Sequence, residues 1–204
     1  MPAPQEVEIK FVLSGLRVAE RKLRQLGFRL QTRRTHEMNI LFDLPGAVLR
    51  RRGELLRLRR YGRQWTLTHK GKGVPGRHKT REEIETRVAD GDAVAAILHA
   101  LGFRPTFRYE KFRSEWSAGV GHVVLDHTPI GDFGEIEGPP AWIDRTARAL
   151  GIRPQAYITD SYVQLFLKWK QRTGSSVEEM TFAARPGRRT RTRREPPPGR
   201  LRRA

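Results

Sequence analysis

The chain has 204 residues, 37% hydrophobic and 30% charged, and no cysteine. That composition excludes disulfides, thiolate metal sites and cysteine nucleophiles, and no apolar run approaches the roughly 18 residues of a membrane span. The formal net charge of +18, from 40 basic and 22 acidic residues, attracts polyanions: nucleic acid, anionic membrane or phosphorylated small molecules.

The start, Met1 to Glu6, has no basic or apolar leader segment, so a cytoplasmic protein is expected. From Gln5 to Phe11 the residues alternate, with Val7, Ile9 and Phe11 on one face and Glu6, Glu8 and Lys10 on the other. Ser14 is placed to cap a helix carrying Leu16, Ala19, Leu23 and Leu26 and ending at Gly27. Asn39–Asp43 reads as a short strand stopped by Pro45-Gly46. Glu54–Tyr61 and Gln64–Lys70 form a hairpin about Gly62, with Arg57 and Arg59 on one strand and Thr66, Thr68 and Lys70 on the next.

Gly71 to Thr80 reads as a Gly- and Lys-rich loop. Its Gly73, Gly76, Lys79 and Thr80 imitate a phosphate-binding P-loop, but His78 stands where that motif needs glycine and a strand follows, so a P-loop is rejected. Arg81 to Val88 is a strand with Arg81, Glu83, Glu85 and Arg87 on one face. Asp92 is placed to cap a helix that ends at Gly102. Arg108–Trp116 is a strand bearing Lys111, Arg113 and Glu115, and Val123–Asp126 and Phe133–Glu137 are the last two strands. A helix from Ala141 to Leu150 precedes a terminal helix from about Ala156 to Trp169, whose stripe of Tyr162, Leu165, Phe166 and Trp169 reads as core. Residues 173–204 hold nine Arg and three Glu and read as a disordered basic tail of charge +6, leaving +12 in residues 1–172.

An internal repeat runs through this order. Glu6-x-Glu8, Glu83-x-Glu85 and Glu135-x-Glu137 each open a strand–helix unit, and the helices end at Gly27, Gly102 and Gly151. Same-sign basic pairs, Arg57/Arg59 and Lys111/Arg113, stand beside these acid pairs. Like charges two residues apart share a face and repel, and a bound partner of opposite sign relieves that repulsion. Acid pairs suit a hard divalent cation, and Arg pairs suit a polyphosphate. Both on one surface suit a metal–triphosphate complex better than duplex nucleic acid, whose phosphates the carboxylates would repel. The six histidines show no metal-binding spacing, and no serine-hydrolase elbow is present.

The ordered series resembles the CYTH superfamily, the triphosphate tunnel metalloenzymes. It comprises Glu6-x-Glu8-x-Lys10, Asn39 to Asp43, Leu56 to Arg59, Leu67 to Lys70 and Arg81 to Glu85. It continues through Tyr109 to Arg113, Leu125-Asp126, Pro129 to Gly131, Phe133 to Gly138 and Ser161-Tyr162, and covers residues 5 to about 167. Two positions depart from the family pattern: Leu41 replaces an aromatic, and Leu44 the Thr of Asp-Thr-Pro. The resemblance implies an α+β fold, an eight-stranded antiparallel β-barrel with a charged tunnel and helices packed outside, over residues 1–172. It implies Mg²⁺ or Mn²⁺ held among Glu6, Glu8, Asp126, Glu135 and Glu137. It implies a triphosphate gripped by Lys10, Arg57, Arg59, Lys70, Arg81, Lys111 and Arg113, with Glu6, Glu8, Lys10, Glu83 and Glu85 as catalytic candidates.

The expected activity is class IV adenylyl cyclase-like, converting ATP to cyclic AMP and pyrophosphate, or triphosphatase, on inorganic, thiamine or nucleoside triphosphate. The alternatives are a non-catalytic polyphosphate- or nucleotide-binding module, or an RNA-associated protein acting through the tail. The expected partner is a small-molecule triphosphate, with no membrane contact and nucleic acid met only through the tail. A homodimer is a further expectation.

Overall fold

The computed structural model describes residues 5–184. Eight strands occur in chain order: β1 (Gln5–Val12), β2 (Arg29–Asp43), β3 (Leu55–Tyr61), β4 (Gln64–Lys70), β5 (Lys79–Val88), β6 (Arg104–Ala118), β7 (Gly121–Thr128) and β8 (Gly131–Glu137). Five helices separate or follow them: α1 (Leu16–Gln25), α2 (Val48–Arg52), α3 (Gly91–Ala100), α4 (Pro140–Ala149) and α5 (Tyr162–Thr173). The strands close into an antiparallel barrel in the order β1-β5-β4-β3-β2-β6-β7-β8, with β8 pairing back to β1. Closure gives every strand a neighbour on both sides within the barrel, and strand alternation then gives each an inner and an outer face.

Most of the apolar faces point outward and the helices cover them. Leu23 of α1 and Ile143 and Ala147 of α4 pack with Ile9, Phe11, Val123, Leu125 and Ile136 of β1, β7 and β8. Leu98 of α3 packs on Phe42 and Leu58, while Phe166 of α5 joins Leu41, Tyr109 and Phe133. Leu41, Tyr109 and Phe133 share the inner face with Asn39, Lys111 and Glu135, so this cluster of α5 reaches into the barrel, while the rest of the core is a shell around it. Among the described residues no helix is long and apolar enough to cross a membrane.

Several elements differ from the sequence reading. β2 has 15 residues, not the five expected at Asn39–Asp43. Its first half, Arg29 to Thr35, lacks apolar alternation because it runs as a largely exposed ribbon against the upper part of β6, with register shifts near Thr32. β6 is likewise longer than expected, starting at Arg104. Asp90, not Asp92, caps α3, accepting hydrogen bonds from the backbone N–H groups of Asp92 and Ala93. The N-cap of α1 is Gly15, so Ser14 does not serve as expected. α5 starts at Tyr162, where Ser161 and Gln164 form a capping box.

The boundary of the expected tail also moves. Residues 174–184 pack on the barrel, with Met180 1% exposed beside Phe166. β7 pairs with β6 from Phe112 onward, so Arg108 and Glu110 need other partners. Met180 supplies them, donating its N–H to the Arg108 carbonyl and accepting from the Glu110 N–H. Residues 185–204, the rest of the expected basic tail, lie outside the described residues.

Gly134 on β8 faces the Phe11 ring of the neighbouring β1, and a methyl group built there would collide with that ring. Gly134→Ala is expected to cost about 1–3 kcal/mol, the usual range for overpacking, measured as a lowered urea midpoint. An unchanged midpoint would mean that Phe11 packs elsewhere.

Candidate functional site

Period-two alternation that turns Ile9 and Phe11 outward turns Glu8 and Lys10 inward, and both are 4% exposed. The same rule fills the lumen from other strands: Arg57 from β3, Thr66, Thr68 and Lys70 from β4, and Lys111 from β6 are buried there. The resulting cavity has a volume of about 490 Å³. Eight Lys or Arg side chains and seven carboxylates line it. The lumen is therefore close to electrically balanced, and the net charge of +18 arises outside it.

The charges are arranged by strand. The three Glu-x-Glu strands are neighbours, β8-β1-β5, and form a continuous arc of the wall. Arg57, Arg59, Lys70, Lys111 and Arg113 come from β3, β4 and β6. The repeat read from the sequence is thus a spatial unit.

Apart from Glu115, which accepts from the Thr32 hydroxyl at 2.9 Å, each carboxylate lining the cavity lies within ion-pair reach of a basic side chain. Glu6 accepts from Lys70 at 2.7 Å and from Arg81 at 3.2 Å. Glu8 accepts from Lys10 at 2.8 Å and from Lys79 at 3.2 Å. Glu135 meets Arg113 at 2.6 Å and Lys10 at 3.4 Å. Glu83 meets Lys70 at 2.9 Å, and Glu85 meets Arg59 at 2.9 Å and accepts from the Thr68 hydroxyl at 2.7 Å. Glu137 sits nearer the solvent, 3.0 Å from His122.

Burial would raise the Glu8 carboxyl, and Glu135 adds to that. Lys10, Lys79 and Lys70 outweigh both and hold Glu8 far below the usual carboxylate range. Burial likewise opposes ionisation of Glu135, but Arg113, Lys10 and Lys111 hold it well down. Glu83 goes the other way: burial and the charge of Glu6 raise it despite Lys70. Burial and then the neighbouring Lys10 push the Lys79 ammonium down to about 8, with Arg81 assisting and Glu8 opposing.

Of the fourteen residues singled out in the sequence, thirteen line this one cavity. The exception is Asp126. It is fully buried, and its oxygens accept from Arg113 at 2.8 and 2.6 Å, from Lys111 at 3.0 Å and from the Tyr162 hydroxyl at 2.6 Å. With four donors on two oxygens it orients the basic residues and offers the cavity no free oxygen.

Four residues escaped the sequence reading. Lys79 extends the inner face of β5 by one more alternation, but its position in the Gly-rich stretch concealed it. Glu37 and Asn39 extend the inner face of β2; both are fully buried, and the Asn39 amide donates to Glu37 at 2.9 Å. Burial would raise Glu37, but Lys111, Arg113, Arg59 and Arg57 bring it down to about 2. Tyr162, read as core, lines the cavity, with the Lys10 and Lys111 ammonium groups 5.6 and 4.6 Å from its ring centroid. His69 alternates with the inward Thr68 and Lys70 and faces outward, 3.6 Å from Glu54.

The donor set suits a hard cation in chemistry: carboxylates from adjacent strands, with Glu8 directly opposite Glu137. Among the described residues no three acidic or His side chains converge as a complete cage.

The CYTH domain model matches residues 4–168. The chain belongs to the CYTH domain family. Among CYTH relatives, MJ0240 of Methanocaldococcus jannaschii, named as a candidate adenylate cyclase, is 29% identical over 171 residues, covering 78% of this chain and 97% of that one. The adenylate cyclase CyaB of Aeromonas hydrophila is 31% identical over 135 residues, covering 64% of this chain and 67% of that one. The solved structure of HpAC1 from Hippeastrum, an adenylyl cyclase candidate described as having a dominant triphosphatase activity, shares the fold. Its TM-score is 0.60 at 18% identity, over 80% of this chain and 95% of that one.

Folded Glu8, Glu37 and Glu135 all ionise below the ordinary value of 4.5. Their stabilisation is therefore fully present above about pH 4.5 and is lost as pH falls through the lower folded values, that of Glu37 about 2. The urea midpoint is expected to hold from neutral pH down to 4.5 and to fall steeply below it. A midpoint insensitive to acid would contradict these pairings.

Proposed function

We propose that this protein is a metal-dependent enzyme that acts on a triphosphate inside the barrel. The observation that carries the reading is the balanced lumen, with eight basic side chains facing seven carboxylates. A bare polyphosphate would be served by bases alone. The carboxylates make sense when a cation enters with the phosphates, and the relatives named as adenylate cyclases support the same class of substrate.

Bound among Glu6, Glu8, Glu135 and Glu137, Mg²⁺ or Mn²⁺ would neutralise phosphate charge and lower the pKa of an attacking water or hydroxyl. The protein's own residues do the rest. Arg57, Arg59 and Lys70 exchange their carboxylate partners for phosphate oxygens, Arg113 releases Glu135 and Lys111 adds its ammonium, and together they fix the chain of phosphates in line for attack. Asp126 and Tyr162 keep Lys111 and Arg113 in position during that exchange. Glu83, whose carboxyl is raised by burial and by Glu6, is the acid best suited to take the proton of the attacking group. Attack by water on the terminal phosphorus gives phosphate and diphosphate. Attack by a ribose 3′-oxygen on the α-phosphorus gives the cyclic nucleotide and pyrophosphate. The cyclase names of the relatives favour cyclisation, and HpAC1 is an example of this fold described as having a dominant triphosphatase activity.

Purified protein given ATP, thiamine triphosphate and inorganic triphosphate with Mg²⁺ or Mn²⁺ is expected to release cyclic AMP with pyrophosphate, or phosphate. Glu6→Gln and Glu8→Gln should each lower metal-dependent turnover by about 100-fold or more while circular dichroism stays unchanged. Folded protein that turns over none of these substrates would refute the enzyme reading.

A further inference from the structure

The β4–β5 connection delivers a lysine to the lumen that no expected role includes. β4 ends at Lys70 opposite Glu83, so the first residues of β5 have β1 as their strand neighbour, with Lys79 opposite Glu8. The Lys79 ammonium lies 3.2 Å from the same Glu8 oxygen that already accepts from Lys10 at 2.8 Å. Lys10 has a second carboxylate, Glu135, at 3.4 Å. Among the described residues Glu8 is the one carboxylate within ion-pair reach of Lys79. One carboxylate charge thus serves two ammonium groups and leaves Lys79 short of neutralisation, as Glu6, shared with Lys70, leaves Arg81.

The two residues before Lys79 turn outward and are tied down. His78 Nε2 lies 3.0 Å from Asp144 Oδ1 on α4, and the Arg77 guanidinium lies 3.2 Å from that oxygen. The Tyr157 hydroxyl donates to it at 3.1 Å. This clasp fastens the Gly-rich segment to α4 immediately before the chain enters the barrel.

Resting on the triphosphate reading above, we infer that Lys79 is a further phosphate-binding residue. It passes from Glu8 to a phosphate oxygen when substrate enters, and Asp144 positions it from outside the barrel by holding Arg77 and His78. The exchange suits the charges: Glu8 keeps Lys10, and the under-neutralised ammonium gains an anion.

The test is calorimetric binding of an imido-linked, non-hydrolysable triphosphate with Mg²⁺ to wild type, Lys79→Met, Lys79→Gln, Lys79→Arg, Asp144→Asn and the Lys79→Met/Asp144→Asn double variant, each with its urea midpoint. Removing the ammonium should weaken binding by about tenfold or more, with Lys79→Arg retaining most of the affinity. Asp144→Asn should weaken binding in the wild-type background and add little to Lys79→Met, since it acts through that side chain. Wild-type affinity in folded Lys79→Met or Lys79→Gln would overturn the role of Lys79 and leave the triphosphate reading standing. An equal loss from Asp144→Asn in both backgrounds would overturn the positioning role. Wild type that does not bind the analogue would overturn the underlying reading and this one with it.

Discussion

Charges can leave water at tolerable cost only when each finds an opposite charge and good hydrogen bonds, because an unpaired buried ion costs several kcal/mol even after relaxation. The lumen of this barrel is built under that constraint. Its strands carry same-sign pairs that would repel if exposed on one face, and closure of the sheet brings β8-β1-β5 into the same enclosure as β3, β4 and β6. Glu6 with Lys70, Glu8 with Lys10 and Glu135 with Arg113 are the result. These pairs hold the charged part of the barrel's interior together, beside the apolar cluster of Leu41, Tyr109, Phe133 and Tyr162. They are also exchangeable: a metal–triphosphate complex offers each member of a pair a new partner of the right sign, so binding need not leave any charge unmatched.

With most of the interior given to charge, most of the apolar contribution comes from outside. Ile9, Ile136, Ile143 and Val123 are fully buried between strands and helices, and burying such side chains is worth about 1.5–3 kcal/mol each. The helices have positional consequences as well. α5 brings Tyr162 to the lumen, where its hydroxyl reaches Asp126. α4 carries Asp144, which holds the residues leading into β5. Residues 174–184 cover the backbone of β6 where β7 does not reach it. The outer layer thus both stabilises the barrel and aims several inner side chains.

Much of this was legible in the sequence because strand alternation is local. Glu6/Glu8, Arg57/Arg59, Lys111/Arg113 and Glu135/Glu137 announce their shared face by spacing two, and the structure gathers them around one cavity. Asp126 follows the same alternation yet sits behind the cavity wall, since the four donors around it come from β6 and α5 and are visible only in three dimensions. Glu37 was hidden by the polar ribbon before it, which has no apolar partner face to mark a strand. Lys79 was hidden by the glycines and proline that precede β5. Tyr162 belongs to a helical apolar stripe, and which member of such a stripe meets a cavity depends on how the helix docks. The long exposed arm of β2 carries no hydrophobic signal and is set by pairing with β6.

The central claim is that the lumen takes metal and triphosphate together, because its carboxylates and bases are balanced and mutually paired. The most direct measurement is calorimetric titration of inorganic triphosphate into the protein with Mg²⁺ or Mn²⁺ and again in excess chelator. Binding that is strong with the metal and weakened by about 100-fold or more without it is the predicted result. Equal affinity in chelator would contradict the account and mark the cavity as a plain anion site.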